Sequence, residues 1–156
     1  MIPKAFLYTI FVFTFAFERF LDFLNTRLWS NTLPDELKEV YDEDQYKRSQ
    51  DYEKKNVYHS QIKAAFSFVI ILSMLLAGGF GIIDSWVRGI TSHPVVMALI
   101  FFGVISLLFS LIFLPFSLYE TFVIEQKFGF NRQSLKSFFS DVAKELLLSE
   151  IGRAHV

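Results

Sequence analysis

Residues 64–83 read AAFSFVIILSMLLAGGFGII, twenty consecutive positions without a charged side chain. At a rise of 1.5 Å per residue, such a helix is about 30 Å long, the thickness of a bilayer's hydrocarbon core. A second uncharged run extends from Val95 to Tyr119, with Pro115 near its end. The two runs predict membrane-crossing helices at about 64–83 and 95–117. The rest of the composition agrees. Of 156 residues, 53% are hydrophobic, 20 are phenylalanine, and only 20% are charged. A soluble domain of that size could not cover so much apolar surface, and a chain so apolar is not a disordered one. There is no cysteine, so disulfides, thiolate metal sites and cysteine nucleophiles are excluded. A net charge of −1 argues against a nucleic-acid partner, which calls for a basic chain.

The first segment is more polar. Ala5 to Phe17 is uncharged, but Glu18, Arg19 and Asp22 follow before Leu24. Lys4 would suit the basic start of a signal peptide, yet Phe17, Phe20 and Phe23 stand where a small-x-small cleavage pattern is required. Residues 2–24 are therefore expected to be an uncleaved membrane helix. Glu18 and Asp22 share one face at i, i+4, close enough to the interface for their charges to reach water. The expected architecture is an all-α, polytopic helical membrane protein with three transmembrane helices. Phe138, Phe139, Val142, Leu146 and Leu147 repeat at helical spacing and suit the start of a fourth.

Basic residues orient the spans. The stretch from Asn25 to Lys63 carries Arg27, Lys38, Lys47, Arg48, Lys54, Lys55 and Lys63, whereas Asp84 to Pro94 carries only Arg88. Lys127, Arg132, Lys136 and Lys144 follow the third span. The positive-inside rule puts the amino terminus outside, with the first loop and the carboxyl region inside, in the cytoplasm. Pro34 suits a first helical position, with Asp35, Glu36 and Glu39 at the positive end of that helix dipole. Asp42 with Gln45 three residues on resembles a capping box, and from Glu43 the pattern runs unbroken into the second span. Gly78, Gly79 and Gly81 predict a bend or close packing, with Ala77 and Gly81 as a small-xxx-small pair.

Chemistry-bearing motifs are scarce. There is no His-Glu-x-x-His, phosphate loop or Gly-x-Ser-x-Gly. His59 reads as a surface or interfacial residue and His93, before Pro94, as part of an extended turn; neither reads as a metal ligand. Catalytic and metal-binding residues are expected to be absent. The least ordinary stretch is Tyr119 to Asn131, YETFVIEQKFGFN. Gly129 followed by Asn131 reads as a helix stop. Physics alone makes this an inside helix docked on the membrane domain.

The same stretch resembles the hallmark of the amino-terminal domain of the CAAX prenyl protease 1 family, integral-membrane zinc metallopeptidases. The family pattern is met by Tyr119, Phe122, Glu125, Phe128, Gly129, Phe130 and Asn131. Phe20 to Asn25, Leu33-Pro34, and Tyr46 to Tyr52 extend the resemblance over about 5–148, in the style of bacterial members. It implies a larger parent with seven membrane helices around a water-filled chamber, and zinc held by a His-Glu-x-x-His helix and a later glutamate downstream of these residues. In such a site zinc activates the attacking water and the glutamate removes its proton. Residues 1–150 would then be the amino-terminal membrane-chamber portion of a zinc-dependent endopeptidase, inactive by itself and binding no zinc. The parent would act in CAAX-type processing or membrane-protein quality control, on peptide or membrane-protein substrates within the lipid bilayer. By analogy, Glu125 and Asn131 would anchor the loop beneath the chamber. The alternative is a non-enzymatic membrane scaffold or partner subunit. A transporter component would carry buried charges within the second and third spans, which have none. Residues 151–156, IGRAHV, are also what the common sequencing adapter ATC GGA AGA GCA CAC GTC encodes, and they are expected to be a translated adapter tail.

Overall fold

A computed structural model describes residues 3–27 and 42–153. Every regular element there is helical: α1 (Lys4–Arg27), α2 (Glu43–Leu76), α3 (Gly79–Ile90), α4 (Pro94–Tyr119), a π-helical stretch (Glu120–Glu125), α5 (Gln126–Phe128) and α6 (Leu135–Arg153). The expected helix start at Pro34, with Asp35, Glu36 and Glu39, lies outside the described residues. Two compact units divide the chain, one up to Phe68 and one from Val69 onward.

In the first unit, α1 lies antiparallel to α2 between Lys54 and Phe68. Phe68 stacks on Phe15 with ring centroids 4.1 Å apart and on Phe11 at 5.1 Å, separations at which aromatic pairs add stability beyond area burial. Toward the other end of α1, Arg19 pairs with Asp22 at 3.0 Å and lies over the Phe15 ring at 5.5 Å. Arg27 covers Phe23 at 4.5 Å, near enough for cation–π attraction. α2 begins where Asp42 and Gln45 suggested. The Asp42 carbonyl accepts the Tyr46 N–H at 3.0 Å, and Glu43 and Asp44 occupy the dipole's positive end. The helix then runs without interruption for 34 residues, about 50 Å. His59, expected at the surface, is buried to 8% exposure. The sequence of a long helix does not by itself reveal which face a neighbour will cover.

In the second unit the expected span 64–83 is not one helix. α2 stops at Leu76 and α3 begins at Gly79. Gly78 sits between them at φ 72°, ψ 23°, a left-handed conformation that side chains bearing a Cβ disfavour. A Cβ at Gly78 would meet open space, so backbone conformation rather than crowding selects glycine. The close approach is at Gly79, whose missing Cβ would lie 3.4 Å from the Met74 Cα. Gly81, expected to permit tight packing, faces open space among the described residues.

Among the described residues, two helical stretches are long and apolar enough to cross a membrane, Glu43–Leu76 and the continuous Pro94–Phe128, whose apolar 18-residue portions have mean hydropathies of 1.5 and 2.9. α1 has the length, but Glu18, Arg19 and Asp22 lower its hydropathy. α4 starts with Pro94 at its first position, where the missing N–H has no partner to lose. The expected extended turn is present at His93 (φ −77°, ψ 119°), whose N–H donates to Thr91 Oγ1 at 3.2 Å.

α3 is strongly two-faced. Val87 is buried at 1% exposure, while Ile82, Trp86 and Ile90 form an exposed apolar row at i, i+4, i+8. Asp84 and Arg88 pair at 2.7 Å on the opposite side of the helix from that row. Their hydrogen bond, then the carboxylate's charge, holds the Arg88 guanidinium above its ordinary pKa. A short helix with an apolar stripe, a tryptophan and an ion pair suits the plane of the membrane interface. In vesicles, with Trp29→Phe leaving one tryptophan, Trp86 emission should be quenched by bromines near the headgroup and little by bromines near the chain end. Strong deep quenching would instead place α3 across the bilayer.

Candidate functional site: the hinge between α4 and α6

The stretch from Tyr119 to Asn131 leaves α4 and turns into α6. Pro115 lies within α4 and has no N–H to return to the preceding turn. Four residues after it the regular helix ends, and Glu120–Glu125 continue in wider π-turns. The Glu120 N–H divides its hydrogen bond between the Phe116 and Ser117 carbonyls at the transition. Such π-turns inside longer helices are frequent at functional sites.

The exit from the helix is closed by main-chain hydrogen bonds. The Phe130 N–H donates to the Glu125 carbonyl at 2.9 Å and the Gly129 N–H donates to the Gln126 carbonyl at 3.2 Å. Gly129 lies at φ 80°, ψ 15°. This is the Schellman arrangement, in which a left-handed residue lets two successive N–H groups reach back to the last open carbonyls. The helix stop read at Gly129 is therefore present. The Asn131 N–H adds a longer bond to the Glu125 carbonyl, 3.3 Å.

Asn131 and Ser134 then start α6. The Asn131 Oδ1 accepts the Gln133 N–H at 2.6 Å, an Asx-turn that bends the chain two residues on. Ser134 Oγ accepts the Ser137 N–H at 3.2 Å, the side-chain cap of a helix start. Asp141 gathers the polar side of α6, accepting from Gln133 Nε2 at 2.7 Å and pairing with Lys144 at 3.2 Å.

On the apolar side, Ile124, Phe128 and Phe138 are buried. The Phe122 ring meets Phe138 edge to face, with centroids 5.6 Å apart. Tyr119 and Phe130 are exposed. The seven motif residues thus lie together on one hinge, but they do not converge on a common point. At Glu125 it is the main-chain carbonyl that accepts the Phe130 and Asn131 N–H groups; among the described residues its carboxylate has no hydrogen-bond or ion-pair partner. Sequence reasoning missed Ser134 and Asp141. The spacing Ser134-x-x-Ser137 after Gly129 is the signal that could have found the first.

Among the described residues, no three histidine, aspartate or glutamate side chains group as a metal ion would need. They offer no zinc site, and no step through zinc can be derived from them.

The family described as the CAAX prenyl protease amino-terminal region, with five membrane helices, matches residues 22–152. The chain belongs to this family. It is therefore a multi-pass integral membrane protein of the CAAX prenyl protease type. The mouse CAAX prenyl protease 1 homolog is 30% identical over 145 residues, covering 87% of this chain and 30% of that protein. The Caenorhabditis elegans homolog is 29% identical over 136 residues, covering 86% and 30%. The crystal structure of S. mikatae Ste24p superposes with a TM-score of 0.85 at 26% identity, over 99% of this chain and 38% of that one. The chain spans between 30% and 38% of the length of these relatives.

Gly129→Ala should destabilise the chain by about 1 kcal/mol through the left-handed backbone alone. Asn131→Ala should cost about the same through the lost Asx-turn bond. Glu125→Ala leaves its carbonyl in place and should cost less than either. Thermal melts followed by circular dichroism in detergent test the order, and a larger loss for Glu125→Ala than for Gly129→Ala would give its carboxylate a structural partner.

Proposed function

We propose that residues 1–150 form the amino-terminal, chamber-wall portion of a zinc-dependent membrane endopeptidase of the CAAX prenyl protease type. In this reading the chain itself contributes membrane spans and the α4–α6 hinge but neither the zinc ligands nor the catalytic base. The observation that carries it is the combined match to the family over 22–152 and to the Ste24p fold over 99% of the chain. The parent's substrates are peptides or membrane proteins reaching the chamber from the bilayer, in CAAX-type processing or in membrane-protein quality control. Tyr119, Phe122, Glu125, Phe128, Gly129, Phe130 and Asn131 act structurally, holding the direction in which the chain leaves α4. Their backbone hydrogen bonds and edge-to-face ring contact support this role.

Three membrane spans built on α1, α2 and α4 place the amino terminus outside, with the first loop and the carboxyl region in the cytoplasm. The charge asymmetry supports this orientation, because seven basic side chains from Arg27 to Lys63 face one from Asp84 to Pro94. The chain has no native cysteine to interfere with labelling. In intact cells a membrane-impermeant maleimide should label Ser92→Cys readily and Ser49→Cys only after permeabilisation. The opposite pattern overturns the orientation.

The functional reading is tested by a chimera in which residues 3–150 replace the matched segment of S. mikatae Ste24p. The chimera is expected to cleave a prenylated CAAX peptide, to lose that activity with a zinc chelator, and to weaken with Gly129→Ala. A well-folded chimera without chelator-sensitive cleavage would favour a scaffold role instead.

A further inference from the structure

The α1–α2 hairpin of the first unit forms an open cleft of about 350 Å³ at its charged end. Arg19, Phe23 and Thr26 line it from α1, and Lys54, Val57, Tyr58 and Gln61 from α2. The positions repeat at helical spacing on both sides, so two facing stripes form the walls. The volume lies at the small end of the range for ligand sites, suited to a compact polar group rather than an acyl chain.

Arg19 gives the cavity its character. One edge of its guanidinium holds Asp22 through Nη2 at 3.0 Å. Among the described residues, the Nε and Nη1 have no hydrogen-bond acceptor and are closed to a water-sized probe, so an anion in the cleft reaches them when the guanidinium turns outward from Asp22. A guanidinium beside a membrane is costly when its donors are left unmade, and an anion that accepts from it gains a charge-assisted bond. Lys54 adds a second cation across the cleft, and the exposed Tyr58 can offer a hydroxyl. Asp22 is an opposing charge already engaged by Arg19, and Lys54 has an interaction of its own that an anion would share. Thr26 Oγ1 donates to the Phe23 carbonyl at 3.0 Å, which leaves its oxygen only to accept. Two cations, a hydroxyl and few free acceptors suit an anion with several oxygens.

The surroundings indicate where that anion comes from. Phe17, Phe20, Phe23 and Leu24 are exposed on α1 around the charged turn, in the apolar strip a lipid chain would follow. We propose that this cavity binds the phosphate of an anionic phospholipid headgroup, with the acyl chains lying along the exposed phenylalanines of α1. The site is independent of the protease reading and of which membrane face the hairpin's charged end occupies.

The test uses the whole chain reconstituted in phosphatidylcholine discs containing phosphatidylglycerol as a minor component, then released in mild detergent for native mass spectrometry. Retained phosphatidylglycerol should exceed its share of the disc lipids several-fold. Arg19→Gln and Lys54→Gln should each reduce that excess at least threefold. Lys55→Gln removes the same charge from an exposed position outside the cavity and should leave it unchanged. Equal losses for all three variants would mean that bulk surface charge does the binding, and unchanged retention in Lys54→Gln and Arg19→Gln would overturn the site. Circular dichroism identifies a variant that fails to fold; if Arg19→Gln does, the comparison of Lys54→Gln with Lys55→Gln decides. Inorganic phosphate supplies the second arm. A melting temperature that rises with phosphate and depends on Arg19, without lipid retention, would overturn the lipid assignment in favour of soluble phosphate.

Discussion

A backbone surrounded by lipid has no water to bond its N–H and C=O groups, and this decides where the helices of this chain can stop. Within an apolar run the helix satisfies every group internally, so it continues until the sequence provides another acceptor or donor. Three local devices do so here. Gly78 takes a left-handed turn between α2 and α3. After α3, the Thr91 N–H returns to the Val87 carbonyl at 3.2 Å and its hydroxyl receives the His93 N–H, before Pro94 opens the next helix without a donor to satisfy. After α5, Gly129, Asn131 and Ser134 close one helix and open another within six residues. At two of these exits the side chains of Thr91, Asn131 and Ser134 accept backbone N–H groups that the helix leaves open.

How much of this could be read from the sequence follows from the same constraint. Uncharged length identified α4 almost to the residue, since nothing between Val95 and Tyr119 offers an alternative to the helix. Glycine followed by a polar residue at 129–131 was legible because the Schellman cap is a local motif, satisfied by its own neighbours. The run 64–83 was misjudged for a converse reason. Its composition stays apolar through Leu76 and Gly79 alike, and hydropathy is blind to the φ angle that ends α2 at Gly78. The burial of His59 and the open space around Gly81 depend on which neighbouring helix comes near, and one sequence does not record that.

α2 also shows how length and charge are reconciled. From Ala64 to Leu76 it has 13 uncharged residues, about 20 Å of helix, shorter than the hydrocarbon core. The preceding turns supply the rest. Lys63 can send its ammonium to the interface along its own stem, and Ile62 adds apolar surface one residue earlier. His59 is the next ionisable group, and it is buried. The long polar beginning of α2 then carries the helix clear of the bilayer without a break.

The hinge motif can be understood from its spacing. Tyr119, Phe122, Glu125 and Phe128 are three residues apart, whereas an α-helix turns every 3.6. Each step therefore drifts about 60° around the axis, and the wider π-turns add to the drift. The four positions therefore spread around the axis instead of sharing one side, and Tyr119 is exposed while Phe128 is buried. Such a series cannot line one face of a ligand site. It can hold a segment on several sides at once: Phe122 against Phe138, the Glu125 carbonyl on two following N–H groups, and Phe128 in the core. In the proposed reading, a motif of this kind holds the direction in which the chain leaves the membrane helix, and direction is what any residues beyond α6 would need in order to meet the spans that precede them.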